Sequence, residues 1–113
     1  MAASTRKNLA VTTISGLVFL DESEIMYCIA EGSYTNVHLE SGETVVISRT
    51  LGKVHSSLSP EDFVRIHNSF VININFTVNY SPTGSPKVTM ADGQVLNVSR
   101  NRKKNFLEQF RMI

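Results

Sequence analysis

The sequence predicts a mainly β domain built from antiparallel sheets, with one short internal helix and a C-terminal helix. Three observations carry that expectation. About eight or nine short runs alternate apolar and polar residues, the two-residue repeat of a strand with one buried face. Most segments between these runs are short and rich in Gly, Ser, Asn and Asp, too short for the crossovers that parallel strands need. Only two stretches carry a helical repeat, and about forty residues of strand pattern separate them.

In chain order, Leu9 to Thr13 and Gly16 to Leu20 form a first hairpin around Ser15-Gly16. Asp21-Glu22-Ser23-Glu24 is a polar turn, and Ile25 to Ala30 is an apolar run expected as a central, buried strand. Glu31-Gly32-Ser33 turns the chain. Tyr34 to Glu40 then alternates, with Thr35, Val37 and Leu39 on one face and Tyr34, Asn36 and His38 on the other. Ser41-Gly42 makes a tight turn into the strand Thr44 to Ser48, so Cys28 to Ile47 reads as a meander. Thr50 to Leu58 is the first helix: Leu51, Val54 and Leu58 share a face, Ser48 is the expected N-cap, and Ser59-Pro60 ends it. Gly52 inside that helix costs about 1 kcal/mol relative to Ala, so the helix needs support from packing.

Phe63 to Asn73 is the centre of the pattern. Two apolar, β-branched pieces flank the polar residues His67-Asn68-Ser69, which are expected at a sheet edge. Ile74 to Tyr80 alternates again, and Pro82 to Pro86 is a loop. Lys87 to Met90 and Gln94 to Val98 flank Ala91-Asp92-Gly93, a strong hairpin signal. Arg100 to Ile113 reads as helix, with Phe106, Phe110 and Ile113 on one face and Ser99 as N-cap. Arg102 at the third helical position leaves it without a capping box.

The 113 residues suffice for one domain with one modest core: residues 9–113, preceded by a flexible tail at residues 1–8. An apolar fraction of 42% and a charged fraction of 19% are those of a folded chain. No apolar run reaches the roughly 18 residues of a membrane span, so no membrane partner is expected. The first residues lack the apolar core of a signal peptide, and a lone Cys28 in a strand pattern excludes an internal disulfide. A reducing cytoplasm is the expected compartment.

Net charge is +1 but unevenly placed. Met1 to Ser48 carries −4 and Arg49 to Ile113 carries +5, which suggests a polyanion partner for the second half. The densest feature is Arg100, Arg102, Lys103 and Lys104, four cations within five residues at a helix start. Cations there oppose the helix dipole, so the cluster needs another reason, and phosphate binding supplies one. The imidazole, carboxamide and hydroxyl of His67-Asn68-Ser69, with Arg65 close by, can donate hydrogen bonds to phosphates or base edges. The plain alternative is a polar turn between two strands.

Other chemistries find little footing. His38, His55, His67 and Cys28 have no zinc-ligand spacing, and His38 and His55 read as surface histidines. No metal and no cofactor is expected. There is no Gly-x-Ser-x-Gly and no Gly-rich phosphate loop, so no enzyme is expected. A helix-turn-helix would need two adjacent helices.

Three segments in this order resemble the LytTR DNA-binding domain: Tyr27 to Leu39 (YCIAEGSYTNVHL), Phe63 to Asn73 (FVRIHNSFVIN) and Val95 to Arg100 (VLNVSR) before a helix. The resemblance spans roughly Gly16 to Phe110. It implies an elongated domain of mostly antiparallel sheets that reads DNA with loops, the output domain of a bacterial response regulator in a two-component system. The matching base-reading positions are Ser33 in the first turn, Asn68 in the second and Arg100 in the third. Ser33 is short, which brings in Tyr34 beside it, and relatives often carry Arg or Lys where Asn68 stands. Arg49, Lys53, Arg65, His67, Ser69, Ser99, Arg102, Lys103 and Lys104 are the expected phosphate contacts.

The resemblance also implies double-stranded DNA with tandem direct-repeat sites as partner. No receiver domain is in the chain, so this is an excised output domain or a stand-alone member. An isolated domain is expected to be monomeric in solution. The competing reading from another class is a β-rich protein-interaction module whose basic patch binds an acidic partner.

Overall fold

Ten strands form where the two-residue repeat runs, in a computed structural model that describes residues 7–113. They are β1 (Leu9–Thr13), β2 (Gly16–Leu20), β3 (Ile25–Glu31), β4 (Tyr34–Leu39), β5 (Thr44–Ile47), β6 (Phe63–His67), β7 (Phe70–Asn73), β8 (Thr77–Ser81), β9 (Lys87–Met90) and β10 (Val95–Asn97). Two helices interrupt them, α1 (Leu51–Ser56) and α2 (Lys103–Leu107). Every strand pair is antiparallel. The central sheet has the order β5-β4-β3-β7-β6, and β3 is its middle strand as its unbroken apolar run predicts. The β1–β2 hairpin and the β10-β9-β8 sheet are separate.

The central sheet buries both faces. On one side Cys28, Val37, Phe63 and Val71 pack with Leu51, Val54 and Leu58 from α1 and its exit, and with Val11, Val18 and Leu20 of the first hairpin. On the other side Tyr27, Val64, Ile66 and Ile72 meet Val88, Met90 and Leu96 of the small sheet and Phe106 of α2. Each fully buried Val, Leu, Ile or Phe contributes about 1.5–3 kcal/mol, so these layers hold the sheet. An irregularity in β3 between Ile25 and Tyr27 turns Met26 and Tyr27 to the same side. The molecule measures 42 × 40 × 23 Å, broad in two directions and thin in the third.

Several sequence expectations shift. Thr50, not Ser48, caps α1: its hydroxyl accepts from the Lys53 N–H at 3.4 Å. The Ser48 N–H donates to Thr12 O at 2.8 Å, and its hydroxyl is buried without a partner among the described residues, away from the helix N–H groups that Thr50 caps. The strand expected from Ile74 begins only at Thr77. The Asn73 side chain accepts from the Asn75 N–H and winds Ile74–Phe76 into a 3-10 turn. The C-terminal helix is also shorter than predicted. Arg100–Arg102 is a 3-10 turn, α2 closes at Leu107, and Ile113 is fully exposed. Ser99 stands at the head of that turn, but its side chain makes no capping bond. The tail's first six residues lie outside the described residues. Asn8, assigned to the tail, is tied to the body: its Oδ1 accepts from the Glu22 N–H at 2.9 Å.

Among the described residues no helix is long and apolar enough to cross a membrane. Cys28 lies in the core, where burial pushes its thiol up to about 12. The two histidines read as surface residues are half-buried. His38 stacks on Tyr27 at 4.6 Å between ring centroids, and His55 Nε2 lies 3.3 Å from Phe63 O.

Candidate nucleic-acid interface

Antiparallel register decides which turns share an end of the central sheet. The end of β3 pairs with the start of β4, Glu31 opposite Tyr34. Ile29 sits opposite Phe70, and the Ala30 N–H donates to Ser69 O at 2.8 Å. Thr35 at the start of β4 sits opposite Ile47 at the end of β5, and its hydroxyl donates to Arg49 O. The Ser99 N–H donates to Ile66 O at 2.7 Å, so the chain leaving β10 runs along the free edge of β6. The Ser33, Asn68 and Arg100 turns, and the β5–α1 connection, therefore gather at one end.

The first turn is Gly32-Ser33. Gly32 takes φ +60° while Ser33 does not, which is the type II′ pattern that suits the twist of a two-residue hairpin. Ser33 and Tyr34 are both exposed. Beside them the Glu31 carboxylate accepts from Asn36 Nδ2 at 2.6 Å, a pair the sequence reading did not single out.

The second turn is Asn68-Ser69 between His67 and Phe70. Neither residue has positive φ, so it is not a primed turn, and the adjoining ladder carries an irregularity between Arg65 and His67. Side chains brace it instead. The Ser69 N–H donates to His67 Nδ1 at 3.0 Å, and the imidazole lies against Phe70. A neutral imidazole bonded this way carries its proton on Nε2. The Arg65 guanidinium donates to His67 O and to Asn68 O. The Asn68 side chain itself is exposed and makes no hydrogen bond among the described residues.

Arg65 was expected to serve phosphates. The structure engages its guanidinium with the turn's carbonyls, a use that the spacing of an arginine three residues before a polar turn could have suggested. Burial, and then the nearby positive charge of Arg102, lowers its pKa.

The third turn carries Ser99, Arg100, Arg102, Lys103 and Lys104. Arg100, Lys103 and Lys104 are exposed, while Arg102 and Ser99 are half-buried against β6 and α2. Arg49 and Lys53 are exposed at the β5–α1 connection and the first turn of α1. Arg49 Nη1 donates to its neighbour Ser48 O, and among the described residues the rest of the guanidinium has no partner. The candidate contact residues thus fall on the turns, strand ends and helix starts at one end, with Arg65 inside β6.

The acids sort the other way. Asp21, Glu22, Glu24, Glu40, Glu43, Glu61, Asp62 and Asp92 lie at or toward the opposite end, eight of the ten acids in the chain. Local bonds fix several there: the Glu40 N–H donates to Glu24 O, Glu22 accepts from Ser59, and the Tyr27 hydroxyl donates to Asp92 Oδ2 at 2.8 Å. Along the chain the charge asymmetry divides two halves; in the fold it divides the two ends of one sheet.

A family model of the LytTr DNA-binding domain matches residues 15–111. The sequence is 30% identical over 98 residues to the sensory transduction protein LytT of Bacillus subtilis (strain 168), taking in 85% of this chain and 40% of that protein. The chain therefore spans two fifths of that relative's length. The fold superposes with a TM-score of 0.77 on a LytTr DNA-binding domain from a methyl-accepting/DNA response regulator of Bacillus cereus. That comparison covers 92% of this chain and 96% of the other at 24% identity. The antiparallel sheets with few short helices are the fold of that domain. The chain belongs to the family of LytTr DNA-binding domains, which serve transcription regulation.

Proposed function

We propose that this domain binds specific sites on double-stranded DNA through the end of the central sheet where its three turns converge. It would act as the output domain of a response regulator in the cytoplasm. The observation that supports this is the charge sorting along the sheet. Arg49, Lys53, Arg100, Arg102, Lys103 and Lys104 surround two braced turns at one end, and most of the acids lie toward the other. Phosphates attract that basic end, and the short exposed side chains between the cations reach base edges.

Each residue takes a role from its chemistry. Arg100 bonds guanine O6 and N7 with its planar fork, and Asn68 presents a donor and an acceptor to a second base. Ser33 and Tyr34 contact the first turn's share of the groove. Arg49, Lys53, Arg102, Lys103 and Lys104 neutralise phosphates, joined by His67 Nε2, Ser69 and Ser99. Arg65 adds positive charge while holding the second turn in shape.

The domain is monomeric when free, and two copies occupy tandem direct repeats on one DNA. An upstream receiver domain in the longer protein supplies the signal. Selection of bound duplexes from a random pool tests the proposal. A recovered consensus with direct repeats supports it. Failure to bind any duplex at low salt would move the function to an acidic protein partner.

A further inference from the structure

Glu31 is the acid that breaks the charge sorting. It ends β3 directly before Gly32-Ser33, at the sheet end that gathers the cations, and it is exposed. The remaining acid outside the opposite end, Glu108, follows α2 at the rear of the basic cluster. A carboxylate that meets DNA repels phosphates and weakens binding to every sequence alike. It gains only where a base offers a hydrogen-bond donor.

We propose that Glu31 is a specificity-determining residue whose carboxylate accepts a hydrogen bond from the exocyclic amino group of cytosine in the major groove. Cytosine N4 is the donor that carboxylates match there. The side chain is already held for the task. Asn36, on the same face of the sheet and one strand away, donates Nδ2 to Glu31 Oε1 at 2.6 Å. That bond orients the carboxylate, and among the described residues Oε2 has no partner, so less freedom is lost on contact with the base. Asn36 acts here as a positioning residue. Glu31 would oppose binding to unrelated sequences and favour sites with cytosine at its position, a filter that the cations alone cannot provide.

The inference rests on the DNA-binding proposal above. The test compares the wild-type chain with Glu31→Gln and Asn36→Ala on a selected duplex, on the same duplex with each base at each position, and on a scrambled duplex. Thermal melts by circular dichroism check folding, and both side chains are partly or fully exposed. Glu31→Gln is expected to lose about 5- to 150-fold in preference for cytosine at one position. Binding to the scrambled duplex should stay level or rise. Asn36→Ala should lose part of the same preference at the same position. A uniform change on all duplexes for Glu31→Gln, with wild-type specificity intact, overturns this inference alone. A wild-type chain that binds no duplex overturns the DNA-binding proposal and this one with it.

Discussion

Arg100 and Lys103 carry the same charge three residues apart, yet they should respond differently to substitution. Arg100 is exposed at the head of the third turn, where the Ser99 backbone is bonded to β6. Its fork can engage two guanine acceptors together, and lysine cannot reproduce that geometry. Arg100→Lys should lose about 1–3 kcal/mol on the specific site and keep its affinity for scrambled DNA. Equal losses on both duplexes would reduce Arg100 to a backbone contact. Lys103→Ala should weaken both duplexes alike and lower the salt slope by about one. Asn68→Ala is the complementary test. The turn is braced by Arg65 and His67, not by the Asn68 side chain, so the melting temperature should hold while specific binding falls. A large drop in melting temperature with normal binding would make Asn68 a turn residue only.

At the level of elements, Gly32 is one of the positions where the backbone requires glycine. Its φ of +60° is the left-handed region, and a Cβ there would meet no neighbour within 4 Å. The cost of Gly32→Ala is therefore backbone strain alone, about 1–3 kcal/mol. Urea unfolding should show that loss as a shift in midpoint at constant slope. The strands were legible because alternation is strong: Thr35, Val37 and Leu39 are buried as their spacing requires. So were the hairpins, because Asp92-Gly93 and Ser41-Gly42 place glycine where positive φ is needed. The failures cluster where a side chain redirects the backbone. Asn73 and Thr50 decide local geometry through single bonds that compete with the regular pattern. The helical stripe through Phe106 and Phe110 survives as a packing contact at 5.4 Å, although α2 has already closed at Leu107. Of the candidate interface, the exposed turns and the basic cluster were legible in the sequence as polar turns and a run of cations. The carbonyl bonds of Arg65 had a signal in its spacing before the polar turn, whereas the Glu31–Asn36 pair had none, because it depends on a cross-strand neighbour.

For the whole molecule, separated charge makes the domain a dipole aimed along its sheet. Such a field orients the protein as it approaches a polyanion and speeds encounter at low salt. With roughly five to seven phosphate contacts, log K should fall with log salt at a slope of about −4.5 to −6. Fluorescence anisotropy across a salt series measures it. Tight binding with a slope near zero would contradict an electrostatic footprint.

The hydrogen bond from the Ser99 N–H to Ile66 O joins the segment carrying Arg100 to the strand that carries the Asn68 turn. That bond limits how far the two turns can separate, so if both read bases, as proposed, they act as a caliper set to one opening. DNA advances about 3.4 Å per base pair. On that proposal, one base pair inserted between the positions read by the two turns should cost the domain one contact or the other, even though every favoured base is still present. A binding series with zero, one and two inserted pairs reads the setting of that caliper directly, and equal affinity across the series would show that the two turns move freely.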